Sequence, residues 1–233
     1  MIKTIRNLLY RPPQLPTSND DIRDYQTNFM NAIRFTESCG FSVERPIWEP
    51  QDKLEGEGTF LEPALRAAGV YDFSKAAFQC LKWCHYLAPH FEQEIGRKVW
   101  ITIGQIWANE RPLFSPTWKD LRSWSKRGIS AGEMEKPGTI GLNLHAWLTI
   151  DSGEIIEPTL MTSIATISPD KYRHFLGTVG WGEPTDILSD HKYFPMAVGA
   201  EFAECLHYRS RVDLLARNPQ QLHTVSMAMI SGR

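Results

Sequence analysis

Gly141-Leu142-Asn143-Leu144-His145-Ala146-Trp147-Leu148-Thr149-Ile150-Asp151-Ser152-Gly153-Glu154-Ile155-Ile156-Glu157-Pro158-Thr159 is the stretch whose reading decides the fold. Its first half is a strand carrying His145, Asp151-Ser152-Gly153 is a tight turn, and the end of a second strand presents Glu157. A period of two places Leu142, Leu144, Ala146, Leu148 and Ile150 on one side and Asn143, His145, Trp147 and Thr149 on the other. Side chains that share a face of adjacent antiparallel strands come close enough for a carboxylate to accept a hydrogen bond from an imidazole. His145 with Glu157 therefore makes a general base and its orienter, and the rest of the chain must supply a nucleophile. Asp151 lies in the turn, where it bonds its own backbone and is no partner for His145.

Outward from the hairpin, Val99 to Trp107 is β-branched and aromatic and reads as a further strand. The expected fold is α+β: an antiparallel sheet from residues 98 to 107, 140 to 150 and 154 to 160, packed against a cysteine-bearing helix. Residues 108 to 139 form a long excursion placed to shape a cleft, with a short helix around Trp118 to Lys126. Upstream, the spacing predicts a helix from Asp20 or Asp21 to about Cys39, an irregular stretch over 41 to 60, and a short helix from Phe60 to Ala68 closed by Gly69. Ser74 can cap the next helix, through Leu87, and Pro89 interrupts it with a fresh first turn near residues 84 to 89 before Gly96. Beyond Pro158 the reading is a strand-like Ser163 to Ile167, a helical turn from Pro169 through Leu176, a helix from Ala200 to Arg209, and a final strand or tail from Gln220 to Arg233. With no internal repeat or linker, residues 1–233 read as one domain whose residues 1–70 are a mainly helical N-terminal region.

Composition narrows the function. The chain is 42% hydrophobic and 22% charged with a formal charge of -2, which provides no basic field for nucleic acid or an anionic membrane. No apolar window approaches the length of a membrane span, and Met1 to Tyr10 is too interrupted by charge for a signal peptide. The four cysteines, Cys39, Cys80, Cys84 and Cys205, make no CxxC pair and read as reduced thiols. The expected setting is cytoplasmic, with export lacking a cleavable signal left open, and the expected partner is a protein or peptide substrate. His85 and His90 are five apart, and His174, His191 and His207 are scattered, so neither a metal site nor a cofactor is expected.

Cys80 and Cys84 are the candidate nucleophiles, four apart on one helix face. If Pro89 resets the helix, Cys84 lies near a helix N-terminus, whose unpaired N–H groups favour a thiolate; if the helix starts at Ser74, Cys80 is already two turns in. Gln79 and Gln105 are amides able to stabilise an oxyanion.

Cys84-His85-Tyr86-Leu87-Ala88, Trp100-Ile101-Thr102-Ile103-Gly104, His145-Ala146-Trp147 and Glu157-Pro158-Thr159 together resemble the transglutaminase-like and papain-like cysteine hydrolase superfamily. The match covers residues 80 to 160, about a third of the chain, with Glu157 where the pattern usually has Asp or Asn. The resemblance implies a papain/transglutaminase-like core with Cys84 as nucleophile, His145 as base and Glu157 as third member. It implies thiol-dependent hydrolysis or acyl transfer at a carboxamide or peptide bond, by a peptidase, amidase, deamidase or transglutaminase, a bacterial effector among the settings. Its rival is a binding or assembly protein that keeps the fold without the chemistry.

Overall fold

The computed structural model describes residues 10–22, 24–49, 53–54, 58–134, 142–210 and 213–224. The chain folds as α1 (Tyr25–Ser38), α2 (Leu61–Ala67), α3 (Cys80–Ile95), β1 (Val99–Ala108), β2 (Arg111–Phe114), α4 (Trp118–Arg127) and α5 (Ala131–Met134). There follow β3 (His145–Ile150), β4 (Ile155–Glu157), α6 (Leu160–Ile167), α7 (Pro169–Tyr172), β5 (Gly180–Gly182), β6 (His191–Val198), α8 (Ala200–Arg209) and α9 (Pro219–Leu222). The architecture is α+β around an antiparallel sheet ordered β2-β1-β3-β4-β5, with β6 also paired to β1.

β1 organises the sheet. One of its edges takes β3 alongside Val99 to Gly104 and then β2 alongside Ile106 to Ala108, and the other takes β6. Registered pairs share a face, so Trp100–Thr149, Thr102–Trp147 and Gly104–His145 lie on one side and Val99–Ile150, Ile101–Leu148 and Ile103–Ala146 on the other. The second face packs against α3 through Leu81, Cys84, Leu87 and Ala88. The first is covered by α1, whose Phe29 packs with Trp100 and Val198, and by Tyr193 against Trp147. Both faces are buried, so β3 is apolar or paired at every position, and its hydrophobic alternation is only partial.

Several elements differ from the sequence expectation. α3 begins at Cys80, because Phe78 at φ 60° breaks any helix from Ser74, and Ser74 itself is held in a turn by Asp72. The helix then runs unbroken through Pro89: Trp83, Cys84, Leu87, Ala88 and Phe91 form one buried stripe on both sides of the proline, and that packing offsets the single hydrogen bond it removes. The strand expected over 154 to 160 ends at Glu157, and Leu160 to Ile167, taken from Ser163 as strand-like, is helix α6. Residues 140 and 141 of the expected hairpin strand, and 225 to 233 of the expected tail, lie outside the described residues, and Pro219–Leu222 is helical. In the expected mainly helical N-terminal region, the α-helices among the described residues are α1, of 14 residues, and α2, of 7. α4, α8 and the turn after Ser168 fall where expected. Among the described residues no helix is long and apolar enough to cross a membrane.

Candidate active site

Three elements meet at one point: the N-terminus of α3, the first residue of β3 and the last residue of β4. Their side chains are Cys80, His145 and Glu157. His145 is 1% exposed and its ring is sandwiched, with Phe114 at 5.0 Å between centroids and Trp147 at 6.2 Å. The sandwich follows from register. Phe114 faces Ile106 and His145 faces Gly104, two residues apart on one edge of β1, and Trp147 is the next residue of β3 on the same face. Gly104 is required here, since a Cβ at that position would lie 2.1 Å from the Phe194 carbonyl oxygen and 2.9 Å from the Trp147 ring.

Glu157 is fully buried and fully occupied. Its Oε2 lies 2.8 Å from His145 Nε2 and 3.5 Å from the Tyr193 hydroxyl. Its Oε1 accepts from the backbone N–H groups of Thr159 and Leu160, each at 3.1 Å, at the start of α6. The two amides at the start of α6 thus fix the position of the carboxylate. The longer arm of Glu reaches the ring and the helix end together. Asp151 lies apart, paired with Arg97 at 2.6 Å.

His145 Nε2 is held by Glu157, and the Cys80 thiol donates at 3.6 Å to the carbonyl of Leu144, the residue before His145, which places its sulfur among the groups that act on the ring. Burial alone would lower the His145 pKa, but the Glu157 charge and the Cys80 sulfur outweigh it and push it up to about 10. The ring is therefore an imidazolium at neutral pH, beside a thiol on the first residue of a helix. The first intrahelical bond of α3 runs from the Trp83 amide to the Gln79 carbonyl, so the amides of Cys80 and Leu81 lie in the first turn, at the helix's positive end.

Cys84, expected as the nucleophile from the helix restart and from the resemblance, has no helix-terminal position. It lies a turn inside α3, is 0% exposed in the core, and is pushed well above the ordinary thiol range by burial, with the Glu157 charge adding to it. No fresh helix start exists at Cys84, which corrects the premise that favoured it, and Cys80 takes the helix-terminal place. Neither glutamine is free to serve an oxyanion. Gln79 bridges the Lys75 carbonyl and the Lys82 ammonium, and Gln105 is buried between the Pro116 carbonyl and the Trp107 indole.

Ser163 and Phe114 are participants the sequence did not announce. Ser163 Oγ donates to the Thr159 carbonyl at 2.8 Å and accepts the Phe78 amide at 3.0 Å, tying the helix that anchors Glu157 to the loop that delivers Cys80. Phe78 holds a left-handed conformation there, the kind of local strain that surrounding contacts must impose. A serine on a helix four residues after Thr159 has an ordinary back-bonding explanation, and only the fold reveals its second partner. No family model matches the sequence, and no curated protein or solved structure matches the chain.

Proposed function

We propose that this protein is a thiol-dependent hydrolase or acyl transferase acting on a carboxamide or peptide carbonyl, with Cys80 as nucleophile, His145 as general base and acid, and Glu157 as its orienter. The carrying observation is the Cys80 thiol on the first residue of a helix, bonded to the carbonyl that precedes His145, whose imidazole is held at 2.8 Å by a buried, amide-capped carboxylate. Cys80 sulfur, as thiolate, attacks the carbonyl carbon while His145 holds the thiol proton. The tetrahedral oxyanion is met by the amides of Cys80 and Leu81 at the start of α3. Collapse breaks the carbonyl–nitrogen bond, and the His145 proton goes to the departing amine, leaving a thioester on Cys80. Water, deprotonated by His145, completes hydrolysis, and an amine in its place completes transfer. The triad serves either acceptor. The same arrangement, on an antiparallel sheet with the cysteine opening a packed helix, supports a papain/transglutaminase-like core, with Cys80 in place of Cys84.

Incubation with p-nitrophenyl acetate tests the reading. Nitrophenolate release should be accompanied by an acetyl mass increment on the Cys80 peptide, and Cys80→Ala should lose both while Cys84→Ala keeps both. Equal release by wild type and Cys80→Ala would overturn the assignment.

A further inference from the structure

A cleft of about 580 Å³ has neighbours of the triad residues in its walls, though not Cys80, His145 or Glu157 themselves. Phe78 precedes Cys80 by two residues, Phe114 stacks on His145, and Leu160 follows Glu157 by three. Ile164, Tyr172 and Phe175 complete an apolar wall from α6 and the turn after it. The size falls within the roughly 300–1,000 Å³ of pockets that enclose drug-sized ligands. Two of the chain's exposed large hydrophobic side chains, Leu113 at 46% and Ile167 at 53%, stand on this cleft. Apolar surface left in water beside a candidate nucleophile is surface that an occupant covers.

The polar lining limits the occupant further. Asp190 is the one carboxylate among the described lining residues, and no Lys or Arg accompanies it, so an anionic ligand such as a free fatty acid would meet no counter-charge. His191 lines the cleft with a buried Nδ1 that has no hydrogen-bond partner among the described residues. Burial lowers its pKa, which keeps the ring neutral and able to accept from or donate to an amide. A buried polar atom without a partner is costly, and a ligand that supplies the partner recovers that cost.

We propose that this cleft is the substrate site for a neutral peptide segment carrying bulky apolar side chains beside the reacting carbonyl, seated by a hydrogen bond from its backbone to His191. The proposal rests on the thiol-hydrolase reading for the reaction but not for the binding. The apolar side chains fill the wall from Phe78, two residues before Cys80, to Phe175. Acidic side chains are repelled by Asp190 and stranded against apolar surface.

The test measures fluorescence anisotropy of dansyl-Phe-Leu-Gly-Gly-amide and of the same peptide with Asp at both apolar positions, on the full chain. The apolar peptide should bind about tenfold or more tighter, the difference expected for burying even one large apolar side chain. His191→Ala and the exposed rim variant Ile167→Glu should each weaken the apolar peptide several-fold, roughly the worth of one contact. Ile167 is half exposed, so its replacement leaves folding intact, as circular dichroism will verify. Equal affinity for the two peptides, or unchanged binding in both variants, overturns the proposal. Acetylation of Cys80 by p-nitrophenyl acetate, which needs no filled cleft, is read in parallel. Selective binding without acetylation upholds the peptide site and removes the thiol chemistry, and acetylation without selectivity does the reverse.

Discussion

At the scale of single residues, the two cysteines separate by environment. Cys80 is on the first residue of α3 beside an imidazolium, whereas Cys84 is sealed in the core where burial keeps it a neutral thiol. Cys84→Ala should retain turnover and cost about 1 kcal/mol through a small cavity, read as a lower denaturant midpoint. Glu157→Gln should have the opposite profile. Removing the carboxylate's charge takes away the influence that raises the His145 pKa, so its ring should lose its proton at lower pH than in wild type, as imidazole NMR titration would record. An unchanged titration would detach Glu157 from His145. The sequence reached the pair His145 and Glu157 because a short hairpin fixes which residues adjoin. It favoured Cys84 because the choice depended on where a helix begins, and that is decided by the left-handed turn at Phe78, which has no glycine to announce it.

Elements carry these residues to one place by close backbone approach and shared hydrogen bonds. Gly104→Ala would push a methyl against the Phe194 carbonyl and the Trp147 ring, and unfolding experiments should show a loss of about 3 kcal/mol or more. Ser163→Ala releases the Phe78 amide, so hydrogen exchange over Phe78 to Lys82 should quicken while the middle of α3 stays protected. Uniform exchange across α3 in that variant would show that Ser163 does not hold the helix start. β1 was legible from its β-branched and aromatic run, β3 from the tight turn that follows it, and α4 from its Thr117 cap. β6 was not: Pro195 sits inside it, opposite Gly104 at a bulge, where a proline is tolerated only because the ladder is already irregular. α6 was misread because its threonines and isoleucines favour strands. Its start is fixed by Glu157 accepting the Thr159 and Leu160 amides, a contact invisible in composition.

For the whole molecule, a buried imidazolium–carboxylate pair links the site to stability. The His145 pKa is raised from the ordinary value of 6.5 to about 10, so the proton is bound more tightly in the folded chain than in the unfolded one. Its contribution to stability is fully present below pH 6.5 and declines as pH rises toward 10 and through it. Denaturant midpoints measured from pH 6 to pH 10 should therefore fall more steeply for wild type than for His145→Phe. Parallel curves would show that the pair is not charged in the folded state. The most direct test of the central claim is iodoacetamide alkylation at pH 6, mapped by peptide mass. In wild type, Cys80 should react ahead of Cys39, Cys84 and Cys205, and His145→Ala should bring its rate down to that of an ordinary thiol. Alkylation that favours another cysteine, or a Cys80 rate indifferent to His145, would contradict the thiolate–imidazolium site on which the account rests.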